Sequence, residues 1–304
     1  MASQILKIPQ NFDFGHLSTN TFEALVDWIA GICDAEGLPI YSEVDVCFSQ
    51  LSNIDGFGIS ILFSIVDWLR RNETNVVFKN YSNASPALHY LNKCNFFPKD
   101  IFETQCTVED EIPAFLQAWL SYKDAYQWTS ITLTNWLASI LNLPAASFVD
   151  VRMCFNELFN NVNDHSGFDY WYVHISFNPD ERKLYAIIVD TGVSIAKTLL
   201  PKTADKEKSG YIHFATKEGV SGFSRPNNMG AGLALLKDCV TIAHDGYLFM
   251  YSGNGLLEVR RQENSEEGEF DYFVESGFPG LLVFFELNVD RIEFSEGHRE
   301  DLEW

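Results

Sequence analysis

The stretch FVDVRMCFNELFNNVNDH, residues 148–165, decides how the second half of the chain is read. Val151, Phe155, Leu158, Phe159 and Val162 recur at helical spacing and make one apolar side. Glu157, Asn161 and His165 follow one another at i, i+4 and i+8, and at about 100° per residue they drift over only about 80° of arc. They form a single polar row beside the buried face. Any amphipathic helix needs a polar far side, but Asn is a poor helix former, and Asn156, Asn160, Asn161 and Asn163 crowd this one. A carboxylate, an amide oxygen and an imidazole in one row suit a hydrated Mg²⁺ ion and phosphates.

Two further polar groups follow in the sequence. An apolar strand over 184–189 runs into Asp190-Thr191-Gly192-Val193-Ser194, which delivers a carboxylate to a glycine turn. Asn227-Asn228-Met229-Gly230-Ala231-Gly232-Leu233 then opens a helix, so that glycine N–H groups converge where an anion would sit. Around these groups the periodicity predicts helices over 112–122, 132–141, 148–165 and 232–243, and a polar loop over 201–228. Strands are predicted over 170–177, 184–190, 247–251, 255–259, 270–274 and 281–287. Helices gathered early and strands late are the α+β pattern of a sheet with helices on one face.

The order E-x-x-x-N-x-x-x-H on a helix, D-x-G after a strand and G-x-G-L entering a helix resembles the GHKL ATPases, most closely their anti-sigma-factor serine kinase and histidine-kinase branches. The resemblance covers roughly 112–288. It implies a two-layer α+β sandwich built on a mixed sheet, with ATP and Mg²⁺ as cofactors. Asn161 would ligate the metal, Glu157 would polarise the attacking water or hydroxyl, and Asp190 would bond the adenine amino group. Gly192 would give the base room, and Ser194 stands where the family usually has a second glycine. Gly230, Ala231, Gly232 and Leu233 would line the phosphates beneath a lid drawn from 201–228, and His165 would lie at the same site. Phe278-Pro279-Gly280-Leu281 looks like the family's closing P-G-T element, with Leu281 in place of the threonine.

The first third alternates strand, helix, strand, helix: 5–8, 22–32, 44–48, 59–71, 75–78 and 87–91, with a turn at 53–58. This α/β order resembles a STAS domain. Where partner-switching members carry a phosphorylatable serine after the aspartate of the turn, Asp55 is followed by Gly56 and Phe57, with Ser52 and Ser60 nearby. A docking or dimerisation scaffold is the plainer alternative, and a homodimer is left open. The division expected is a STAS-like domain over 1–105, an ATPase-like domain over 106–290 and a solvated acidic tail over 291–304.

Composition limits the partners. Against 42 Asp+Glu stand 21 Lys+Arg, a net charge of −21 that repels a nucleic-acid backbone and favours a basic protein partner. ATP is exempt, because backbone N–H groups and a cation hold it locally. The longest apolar runs fall well short of the ~20 residues that cross a bilayer, and a cytoplasmic location is expected from the opening residues. Cys33, Cys47, Cys94, Cys106, Cys154 and Cys239 are scattered singly and read as buried reduced thiols. The resemblance thus implies an ATP·Mg²⁺-binding signalling protein that regulates a protein partner by nucleotide-dependent conformational change, with ATP hydrolysis or serine/threonine kinase activity. The alternative is a nucleotide-sensing or interaction module without turnover, which Ser194 and Leu281 favour.

Overall fold

A computed structural model describes residues 3–34, 36–81, 85–97, 115–165, 170–195, 197, 211–217, 232–261 and 267–293. The expected boundary near Cys106 lies outside them, as do Gly230, Ala231 and most of the expected lid.

In the first part, β1 (Ser3–Lys7), β2 (Asn11–Phe12), β3 (Glu43–Cys47), β4 (Asn53–Ile54) and β5 (Asn75–Lys79) are interleaved with α1 (Phe14–Leu17), α2 (Thr19–Ala30), α3 (Gly56–Arg71) and α4 (Pro86–Lys93). A parallel sheet has the order β1-β3-β5, and β2 and β4 form a separate parallel pair. Val44 and Val46 are buried on one side of β3, as its alternation predicts. Helix α3 begins where Asp55 caps it: Oδ1 accepts from Gly58 N at 2.9 Å and Oδ2 from Phe14 N at 3.0 Å. Burial pushes the Asp55 carboxyl up to about 6, since those two N–H donors only partly offset its loss of water.

The second part contains β6 (Phe115–Ser121), α5 (Tyr122–Gln127), a π-helical turn at Trp128–Leu133, α6 (Thr134–Leu141), α7 (Val149–His165), β7 (Tyr170–Asn178) and β8 (Lys183–Asp190). There follow α8 (Tyr211–Ala215), α9 (Gly232–Asp238) continued by a π-helical turn at Cys239–Ala243, β9 (Tyr247–Arg261) and β10 (Glu267–Asn288). The five strands take the order β6-β7-β8-β10-β9. Every pairing in this sheet is antiparallel, so the mixed sheet expected for this part is corrected; the parallel pairings belong to the first part.

Several expected elements change. The helix predicted over 112–122 is the strand β6 among its described residues, paired with β7 from Phe115↔Ser176 to Ser121↔Tyr170. The four short strands predicted after 247 are two long ones, β9 and β10, whose pairing shifts register between Phe273, Phe278 and Leu282. The polar loop contains α8, whose Ile212 and Ala215 are buried in the core. The expected tail begins later than residue 291, because Val289 and Ile292 are buried against the sheet.

The five-stranded sheet is covered on both faces, not one. Leu184, Ala186 and Ile188 of β8 join the core formed with α7 and α9, whereas Ile187 and Val189 join a second core made with the first part. Helix α2 packs on β10, and α3 packs on β7 and β8. Rings interlock across this junction: Phe22 stacks on Phe249 at 3.7 Å, Phe14 on Phe284 at 4.0 Å and Phe63 on Tyr172 at 4.8 Å between centroids. A Cβ at Gly56 would lie 2.4 Å from the His174 ring, so the start of α3 reaches the sheet only because residue 56 lacks a side chain. Buried His174 stacks on Phe115 at 5.0 Å, and burial pushes its imidazole down to about 4.

Of the cysteines, Cys33, Cys47 and Cys94 are buried free thiols, as expected. Cys154 of α7 and Cys239 beyond α9 face one another with Cα atoms 6.9 Å apart, so these two are neighbours in the fold and not isolated. Their separation of 85 residues hides this proximity from any local motif.

Candidate functional site

Helix α7 places its polar row where the packing of α9 can use it. Phe155, Leu158, Phe159 and Val162 are buried on the sheet side, which leaves Glu157 and Asn161 half-buried at the α7–α9 contact. A Cβ at Gly232 would stand 2.8 Å from Glu157 Oε2 and 2.9 Å from Asn161 Nδ2. The glycine therefore lets the first turn of α9 come against the carboxylate and the amide, a juxtaposition of two motifs distant in sequence. Burial raises the Glu157 pKa above the usual carboxylate range. Asn161 Nδ2 is buried with no hydrogen-bond partner among the described residues, so an amide N–H is left able to donate to an acceptor. Leu233 is buried in the core under α9, so its side chain serves packing. His165 ends α7, and its side chain lies outside the described residues.

Asp190 ends β8 on the face of Leu184, Ala186 and Ile188, the side covered by α7 and α9. It is 2% exposed. Its Oδ1 accepts from Gly192 N at 3.1 Å, which shapes the D-x-G turn. Burial pushes this carboxyl up to about 7, against the Gly192 hydrogen bond and the Arg71 charge, which both lower it. The Phe-Pro-Gly element meets the same turn: Gly280 has φ +100° and a Cβ there would lie 2.2 Å from Asp190 O and 2.7 Å from Gly192 N. Ser194 is buried, and its Oγ accepts from Lys197 N at 3.5 Å, so the hydroxyl serves the following turn. Beside this turn lies a cleft of about 220 Å³ lined by Gly192, Ser194 and Lys197 together with Glu36 and Gly37 of the first part.

The first part therefore touches the D-x-G turn, which local sequence motifs do not indicate. Arg71, the last residue of α3, donates from Nη2 to Thr191 Oγ1, while its Nε pairs with Asp67 Oδ2 at 2.6 Å. Lys197 Nζ donates to Glu36 O at 2.7 Å, and Cys33 Sγ to Gly277 O at 3.1 Å. The contacts to Thr191, Glu36 and Gly277 each join residues more than a hundred positions apart.

The Asp190 carboxyl gives a pH test with a definite sign. Its folded pKa of about 7 lies above the unfolded value near 3.9, so between those limits the folded chain holds a proton that the unfolded chain has lost. Its contribution to stability accordingly declines as pH rises from about 4 to about 7. Asp190→Asn, which cannot ionise, is expected to remove that decline, seen as a flatter difference in denaturation midpoint over this window. An identical pH dependence in both proteins would show that Asp190 does not titrate there.

The fold defines a mixed α/β protein whose described residues form a three-stranded and a two-stranded parallel sheet and a five-stranded antiparallel one. Comparison of the chain with models of known families, and with characterised proteins, finds no match. Among the described residues no single helix is long and apolar enough to cross a membrane.

Proposed function

We propose that the chain is an ATP·Mg²⁺-binding signalling protein of GHKL type, in which nucleotide changes how the STAS-like part engages a protein partner. One observation carries the reading: Gly232, at the entry of α9, abuts both Glu157 and Asn161. Glu157 and Asn161 of α7, Gly232 of α9 and, by strand alternation, Asp190 of β8 lie on the side of the sheet that α7 and α9 cover. Among the described residues no three His, Cys, Asp or Glu converge as a metal cage. Mg²⁺ would be held by Asn161 Oδ1 and by the phosphates. Bound Mg²⁺ would supply neutralisation of phosphate charge.

The protein's own groups divide the remaining work. Asp190 accepts from an exocyclic amine, Gly192 N donates to it within its turn, and Gly280 lets the neighbouring strand approach that turn without a side chain. Glu157, made more basic by burial, is placed to orient a water or hydroxyl and take its proton. Ser52 is exposed, whereas Ser60 is buried and donates to Gly56 O at 2.6 Å, so of these two serines only Ser52 is open to solvent.

Phosphate release and transfer from labelled ATP separate an enzyme from a sensor. Glu157→Ala is expected to lower turnover about 10²–10⁴-fold while ATP binding persists, the span typical of losing a positioned general base. Equal background signal from Glu157→Ala and the unsubstituted chain would favour a nucleotide sensor without turnover.

A further inference from the structure

We propose that Arg71, on the STAS-like part, is a positioning residue of the nucleotide site: through Thr191 it fixes the turn that presents Asp190 to the base, and so contributes to adenine over guanine selectivity. The inference rests on the nucleotide reading of the D-x-G turn. It adds that the first part completes the site.

The geometry is specific. Arg71 stands at the last position of α3, the helix that packs on β7 and β8. Its guanidinium is held from behind by Asp67 at 2.6 Å and reaches forward to the Thr191 hydroxyl, next to Asp190 in sequence. A planar guanidinium can hold both partners at once, which a lysine ammonium does less well. Among the described residues, Arg71 is the one charged group that acts on Asp190, and it favours the ionised form. The cap of α3 and the stack of Phe63 on Tyr172 fix the helix along its length, so Arg71 is delivered by a rigid element.

The chemistry follows from donor and acceptor patterns. Adenine presents an amine donor where guanine presents a carbonyl acceptor. An ionised carboxylate can only accept, so it bonds the amine and repels the carbonyl. A protonated carboxyl carries a donor and loses that discrimination. With Asp190 buried and its Oδ1 already shared with Gly192 N, burial favours the protonated form, and the Gly192 hydrogen bond and the Arg71 charge oppose it.

The test is calorimetric titration of the full chain with ATP and with GTP, each with Mg²⁺, from pH 6 to pH 8.5. Arg71→Gln is expected to move the acid limb of ATP binding to higher pH and to lower the ATP:GTP affinity ratio near pH 7 about fivefold, the fall in ionised fraction when a pKa of about 7 rises by about one unit. Thr191→Val cuts the hydrogen bond but keeps the arginine, and is expected to show the same changes at smaller size. Arg71→Lys keeps the charge and is expected to restore most of the ratio. Loss of affinity without any change in pH profile or nucleotide ratio would mark a structural role and overturn the inference, and so would unchanged profiles in the variants that fold. Absence of ATP binding by the unsubstituted chain would overturn the nucleotide reading together with this inference. ATP binding by that chain with unmoved variant profiles overturns the inference alone.

Discussion

Asn161→Ala is expected to lower ATP affinity in the presence of Mg²⁺ by about 100-fold, at the upper end of what removal of a metal-supporting group costs. The amide lies on α7 against Gly232, and its Nδ2 makes no hydrogen bond to a described residue that truncation could break. Half-buried Asn161 is not part of the apolar face of α7, whose anchors are Phe155, Leu158, Phe159 and Val162. Alanine is also the better helix former, so the variant is expected to unfold at or slightly above the midpoint of the unsubstituted chain. The Mg²⁺ dependence of binding is the specific readout: the unsubstituted chain should bind ATP more tightly with the ion, and the variant should show little difference. Retained Mg²⁺-dependent affinity in the variant would remove Asn161 from the site.

Phe249→Ala is expected to destabilise the whole chain by about 3–5 kcal/mol, the range for deleting a fully buried aromatic ring. Phe249 lies on β9 in the second part, yet its ring stacks at 3.7 Å on Phe22 of α2 and packs near Phe57 of α3 at 6.4 Å. The cavity would therefore open in the core that joins the two parts. Because that core runs from Leu6 to Phe284 without a break, both parts should unfold together in one denaturant transition. Two separated transitions, with only the first moved by the substitution, would show that each part closes a core of its own.

The same shared core explains which elements are legible in the sequence. Helix α7 is readable because one side meets the sheet and the other carries Glu157 and Asn161, so the 3.6-residue period is clean. Helix α3 is readable from its Asp55 cap and its terminal arginines. Strand β6 is not. Leu116, Ala118 and Leu120 face the core under α7, while Phe115 packs with the first part and Gln117 Nε2 donates to Cys94 O at 2.8 Å. A strand covered on both faces loses its alternation, and the run with Phe115, Leu116, Trp119 and Leu120 imitates a helical stripe.

Long β9 and β10 fail for another reason. Ser252-Gly253-Asn254-Gly255 and Phe278-Pro279-Gly280 carry the residues of turns, but here they occupy register shifts and a close approach to the Asp190 turn within continuous strands. In the candidate site, each half of the E-x-x-x-N and G-x-G pair is legible by itself, whereas their meeting at Gly232 is a property of the fold. Arg71 is legible only as a helix-ending cation, since nothing local joins it to Thr191.

The most direct test of the account is a calorimetric titration of the full chain with ATP, with and without Mg²⁺, alongside Asp190→Asn and Asn161→Ala. The account predicts one saturable site that prefers adenine nucleotide, tightens with Mg²⁺ and is lost or strongly weakened in both variants. No saturable binding at millimolar ATP and Mg²⁺, or binding that both substitutions leave unchanged, would contradict it.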